Sequence, residues 1–125
     1  MAGLRVKIEK KSYNLKFGYG VFSRIGRVYK KATFGELGAF IDGLELANSE
    51  DLKFEALDFL GNLVKVSAEY ELKEDVPFEA EDVIQSLLFE SKDKEKFSEI
   101  IVELFQSFAP LVESEGKANP ATRKK

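Results

Sequence analysis

Two short alternating segments followed only by helix-period segments most limit how this chain can fold. Leu4, Val6 and Ile8 alternate with Arg5, Lys7 and Glu9, and Tyr13, Leu15 and Phe17 alternate with Asn14 and Lys16. A period of two marks half-buried strands. Lys10-Lys11-Ser12 is the predicted turn between them, without the Asn-Gly signal of the best hairpins. A two-stranded hairpin is marginal in water, so its apolar face must lie on helices. After Gly20 the period changes, and Val21, Phe22, Ile25, Val28 and Tyr29 fall at helical spacing. Gly18 and Gly20 then read as the joint between strand and helix, with Tyr19 and Phe22 closing the gap.

The rest of the chain predicts four more helices. Thr33-Phe34-Gly35-Glu36 is a capping-box signature, and Leu37, Phe40, Ile41 and Leu44 follow it at helical spacing. Asn48 or Ser49 is the expected cap of a third helix carrying Leu52, Ala56, Leu57, Phe59, Leu60, Leu63 and Val64. Its end is ambiguous, because Val66, Ala68 and Tyr70 alternate. Pro77 suits a loop or the first turn of a fourth helix, from about Glu79 to Phe89. The fifth carries Phe97, Ile100, Ile101, Leu104, Phe105 and Phe108, with Pro110 expected to bend or end it. The expected fold is α+β, mainly α: an N-terminal β-hairpin packed on about five short amphipathic helices, forming one domain over residues 1–112. Residues 113–125, rich in Glu, Gly, Lys, Asn and Pro, read as a disordered tail.

Composition removes whole classes of chemistry. The 125 residues include neither Cys nor His, so disulfides, thiolate nucleophiles and Ser-His-Asp systems are impossible within the chain. Zinc sites of the usual Cys and His kind go with them. Hydrophobic residues at 44% allow a real core, and Phe dominates the aromatics at 11 against 4 Tyr and no Trp. Phe offers packing area without a polar handle, so most of these rings belong inside. No apolar stretch approaches the ~20 residues that span a bilayer, and the charged, alternating start does not read as a signal peptide. A soluble cytosolic protein is the expectation, with no membrane partner.

Charge is unevenly spread. Residues 1–31 hold nine Lys or Arg and only Glu9 as an acid, giving +8, which leaves −11 for the rest of a chain whose net charge is −3. Such a split points either to an acidic partner, including the other half of the same molecule, or to a plain solvated face.

Sharper motifs fail on their parts. Gly18-Tyr19-Gly20-Val21-Phe22-Ser23 lacks the third glycine of the dinucleotide fingerprint, and no Walker lysine follows. Against the RNA-recognition motif, Phe17 stands where the basic residue belongs and Val21 where the second aromatic belongs. The four-stranded display sheet is missing too. Glu81-Asp82 and Asp42/Glu45 fall in helix first turns or on solvent faces, where carboxylates are expected without any catalysis. No cofactor, metal or catalytic residue is assigned, and a non-enzymatic binding protein remains.

Three stretches resemble the tail assembly chaperones of long-tailed, siphovirus-type bacteriophages. "SYNLKFGYGVFSRI" (Ser12–Ile25) resembles the family's hairpin end and helical restart, and "ATFGELGAFIDGL" (Ala32–Leu44) its short glycine-containing second helix. "EDVPFEAEDVIQSLLFESKD" (Glu74–Asp93) resembles its proline loop and acidic helix, while the run Lys65–Asp75 is longer than the family pattern. The similarity covers about Leu4 to Ala109. It implies a non-catalytic protein of the host cytoplasm, absent from the mature virion, which binds the tape measure protein and recruits tail tube subunits. It also implies a longer frameshifted form in many members, and leaves self-association open. Aromatic content beside basic charge makes Tyr13, Tyr19, Phe22 and Tyr29 the candidate protein-binding residues, with Arg123, Lys124 and Lys125 of the tail as further contacts. A structural head-tail connector and a small nucleic-acid-binding regulator are the alternatives, although nucleic acid is disfavoured by the motif failures.

Overall fold

The computed structural model describes residues 4–46, 51–90 and 95–117. Strands β1 (Leu4–Ile8) and β2 (Lys11–Leu15) pair antiparallel, with Val6 opposite Tyr13 and Leu4 opposite Leu15. Alternation buries Val6, Ile8, Tyr13 and Leu15 and turns Arg5, Lys7, Ser12 and Asn14 outward. Arg5 Nη1 donates to Asn14 Oδ1 across the pair at 3.0 Å.

The turn lies one residue earlier than the predicted Lys10-Lys11-Ser12. Lys11 pairs with Ile8, and the two loop residues, Glu9 and Lys10, both have positive φ, 51° and 75°. This is the type I′ pattern, which matches strand twist but favours Asn-Gly. Left-handed backbone costs an ordinary residue about 1–2 kcal/mol. The double variant Glu9→Asn, Lys10→Gly is therefore expected to raise the unfolding free energy by about 1 kcal/mol, read as a shift of the urea midpoint at unchanged slope.

Five α-helices follow among the described residues: α1 (Tyr19–Val28), α2 (Phe34–Gly43), α3 (Phe54–Leu72), α4 (Ala80–Ile84) and α5 (Glu95–Lys117). A π-helical turn, Gln85–Glu90, continues α4. None of the described helices is long and apolar enough to cross a membrane. The hairpin's buried side chains join Phe22 and Ile25 of α1, Leu37 and Ile41 of α2, and Phe59, Leu60, Leu63 and Val64 of α3 in one core. Phe97, Ile100, Leu104 and Phe108 of α5 close it. Ser67, fully buried on α3, ties β2 down by accepting the Lys16 N–H at 3.0 Å.

Gly18 and Gly20 do form the joint, but neither has a positive φ. Gly18 is the extended N-cap of α1. The end of the Tyr70 ring lies against Gly20, 2.5 Å from where a Cβ would stand, so any side chain there would have to push that partly exposed ring aside. Phe22 closes the gap to the hairpin, its ring 6.3 Å from that of Phe17, whereas Tyr19 points to solvent. α1 ends in a Schellman pair: Lys31 N–H donates to the Gly26 carbonyl at 2.8 Å, and Lys30 N–H to that of Arg27 at 3.2 Å. Lys30 takes the left-handed position. Thr33 caps α2 as expected, its Oγ1 accepting from Glu36 N–H at 3.1 Å, but Glu36 Oε1 accepts from Ala32 N–H rather than from Thr33.

Three boundaries differ from the sequence expectation. Lys53 is the N-cap of α3, so Leu52 precedes the helix, while Asn48 and Ser49 lie outside the described residues. The alternating Val66, Ala68 and Tyr70 are helical, and α3 runs to Leu72 before Lys73 turns left-handed. Pro110 does not end α5, which continues to Lys117. Gln106 and Pro110 are exposed, so solvent can serve the Gln106 carbonyl that the proline leaves without its helical partner. Residues 113–117, expected in the tail, are thus helical. The remainder, 118–125, lies outside the described residues, and with it Arg123, Lys124 and Lys125.

Candidate protein-binding surface along α1

The four aromatic candidates separate sharply in their surroundings. Tyr13 is a core residue, its ring edge-on to Phe78 at 5.0 Å. Phe22 has no exposed area and packs edge-on against Phe108 at 5.0 Å. Both are corrected as surface donors. Strand alternation and helix period already direct them inward, and ring type alone says nothing of exposure. Tyr29 is half-buried between Phe40 (4.9 Å) and Phe59 (5.5 Å). Its hydroxyl accepts from Asn62 Nδ2 at 2.9 Å. Burial pushes its phenol above the ordinary value, against the opposing Asn62 bond. Tyr19 alone is open, at 66% exposure, and meets Phe34 edge-on at 5.8 Å.

A chain of rings leads from the core to that open tyrosine. Phe22 touches Phe108, Phe108 lies 6.0 Å from Phe34, and Phe34 meets Tyr19. Edge-to-face pairs of this kind add roughly 0.5–1.5 kcal/mol each beyond area burial. Tyr19 is therefore held at the surface by a rigid aromatic support, although its own face stays bare.

Two grooves flank α1. On the α3 side, Arg24, Val28, Val66, Glu69, Tyr70 and Lys73 line a groove of about 640 Å³. Its polar groups are largely engaged. The Arg24 guanidinium sits 4.8 Å over the Tyr70 ring and donates to the Gly20 carbonyl, Lys73 lies 5.8 Å from the same ring, and Glu69 accepts the Val76 N–H. On the α2 side, a groove of about 500 Å³ has Tyr19, Ser23, Arg27, Lys31, Thr33 and Phe34 around a floor that includes Phe22 and Leu37. Tyr19, Ser23 and Arg27 recur every four residues, one stripe of the helix. Among the described residues no carboxylate lines this second groove.

Among the described residues the charge split is not closed by ion pairs. The ion pairs among these residues are Lys65–Glu79 (2.8 Å) and Lys96–Glu99 (3.4 Å). Neither involves a cation of residues 4–31. Glu79 accepts a hydrogen bond from Lys65 and so raises the lysine's pKa. All nine N-terminal cations lie at the surface, and only Lys31 is even half-buried.

Further apolar side chains stand open away from α1. Phe54 at the start of α3 is 86% exposed and Phe89 on the π-helical turn 72%, while Val102 and Phe105 sit one turn apart on the outer side of α5. Phe54 and Phe89 carry no distinguishing signal in a sequence where most rings are core. Phe34 is hinted at only by its place directly after the Thr33 cap. Among the described residues no group of three or more carboxylates is placed to hold a metal ion. No protein-family profile, curated protein or solved structure matches this chain.

Proposed function

We propose that this protein is a non-catalytic tail assembly chaperone, which binds the tape measure protein of a long-tailed phage in the host cytoplasm and keeps it soluble. It then recruits tail tube subunits and is left out of the mature virion. The observation that carries the reading is open apolar surface beside positive charge that forms no ion pair among the described residues, on a closed, well-packed core. A tape measure protein is a long helical chain whose apolar stripes would aggregate if bare. A small helical partner with exposed rings can cover such stripes with moderate affinity and release them when tube subunits compete, since only a few contacts carry the energy. The resemblance of Ser12–Ile25, Ala32–Leu44 and Glu74–Asp93 to that family supports the same role.

Nucleic acid fits less well. The outward face of the hairpin carries Arg5, Lys7, Ser12 and Asn14 and no ring, so a stacking platform is missing there. Co-expression with the tape measure protein of the phage that carries this gene tests the proposal. The tape measure protein is expected to move from the pellet to the soluble fraction and to copurify with the chaperone. If it stays insoluble and alone, the proposal is wrong. Mass spectrometry of purified particles separates it from the connector alternative, which requires the chain to be present in them.

A further inference from the structure

We propose that the groove between α1 and α2 is the docking site for an acidic, amphipathic helical segment of a partner protein. The segment's carboxylates would meet Arg27 and Lys31, and its apolar face would lie on Tyr19 and Phe34. This deepens the chaperone reading and rests on it only for the partner's identity. Three observations carry it.

Among the described residues the groove has a basic rim with no acid in its lining, and Arg27 makes no ion pair. A charge left unpaired at the edge of an apolar groove steers and orients a complementary partner. The opposite groove, by contrast, has Glu69, Glu74 and Asp75 in its wall, although a cation lies over a ring in both, Arg24 over Tyr70 there and Lys31 over Phe40 here. The opposite groove therefore shows no such preference.

Apolar contact is offered by the open Tyr19 ring and the half-buried Phe34, with Phe22 and Leu37 sealed beneath them. A phosphate backbone makes no use of such rings, whereas the Leu or Phe side chains of an amphipathic helix do. Tyr19 and Phe34 are also set edge to face, which leaves no parallel slot to hold a base. A protein segment is thus favoured over a nucleic acid. Tyr19 is an amphipathic ring with few rotatable bonds, held by the Phe34–Phe108 support, as suits an interface anchor.

The test uses the full chain and synthetic helical peptides of about 15–20 residues. One carries Leu and Phe on one face flanked by Glu, and its counterpart has Lys for Glu. A single-stranded oligonucleotide of similar length is the third probe. Fluorescence anisotropy is expected to show saturable binding of the Glu peptide that weakens as salt rises. The Lys peptide and the oligonucleotide are expected to bind at least about tenfold more weakly. Arg27→Glu and Tyr19→Ala are each expected to lower affinity for the Glu peptide about tenfold or more. Both sites are exposed, so circular dichroism and Tm stay near those of the parent. Lys96→Glu, on α5, leaves binding unchanged. No saturable binding of the Glu peptide, equal binding of the Lys peptide, tighter binding of the oligonucleotide, or an inert Arg27→Glu each overturns the proposal. So does loss of peptide binding on dilution in step with dissociation of a self-associated form, which would give the groove to a second copy. If the peptide binds as expected but the tape measure protein is not solubilised, the chaperone reading fails and the groove stands. If the reverse holds, the groove fails alone.

Discussion

Phe22→Ala is expected to lower the unfolding free energy by about 3–5 kcal/mol, a fifth or more of the ~5–15 kcal/mol that keeps a domain folded. The ring has no exposed area and joins three elements: α1, which carries it, the β2–α1 joint through Phe17, and α5 through Phe108. Truncation leaves a cavity where these elements meet, and a site held on three sides collapses poorly. The edge-on contact to Phe108 is lost as well. Thermal unfolding is expected to fall by more than about 10 °C. Tyr19→Ala, three residues earlier on the same helix, is expected to change stability by less than about 1 kcal/mol, because its ring is mostly in water. The contrast decides which aromatic is structural. A Phe22→Ala protein as stable as the parent would mean that the ring is not buried.

Gly61→Ala carries the second large effect, and it runs against helix propensity. Alanine is favoured over glycine by about 1 kcal/mol inside a helix, so an unhindered exchange within α3 would stabilise. Here the added Cβ would stand 2.5 Å from the Ala80 carbonyl oxygen and 2.9 Å from the Ala80 Cβ. The obstacle is the backbone of α4, which cannot rotate aside like the end of a side chain, so α3 and α4 must separate. Overpacking of this kind costs typically 1–3 kcal/mol and sometimes more. The steric term wins, and a net loss of about 2 kcal/mol is expected from urea unfolding. Gly43→Ala is the control: nothing lies within 4 Å of its Cβ position. That exchange is expected to be neutral or to stabilise by up to about 1 kcal/mol. Equal effects at both positions would refute the close approach of α3 and α4.

Much of this architecture was legible from pattern alone. The two alternating segments became β1 and β2, and of the residues that helical spacing names in α1, Val21, Phe22 and Ile25 are buried while Val28, near the helix end, is exposed and Tyr29 half-buried. Thr33 marked the start of α2. Helix ends were harder, for a definite reason. Lys30, Glu45 and Lys73 all hold left-handed backbone after helices, where glycine or asparagine would have announced a stop. Glu9 and Lys10 conceal the hairpin turn in the same way. The π-helical turn Gln85–Glu90 follows the same apolar spacing as an α-helix would over so few residues, so nothing local distinguishes it.

The candidate surface was legible in part. Aromatic and basic residues were correctly located on the first helix, but of four rings only Tyr19 is open and Tyr29 is half-buried. The order of residues prescribes period, and period prescribes which side of each strand or helix turns inward, because backbone geometry alone sets that direction. It also prescribes the total charge and the absence of thiol and imidazole chemistry. It does not prescribe what stands opposite. That Tyr70 lies on Gly20, that Ala80 lies on Gly61, and that Phe34 supports Tyr19 all depend on how separate elements dock. Such contacts join residues far apart in the chain, so they exist only once the elements have packed.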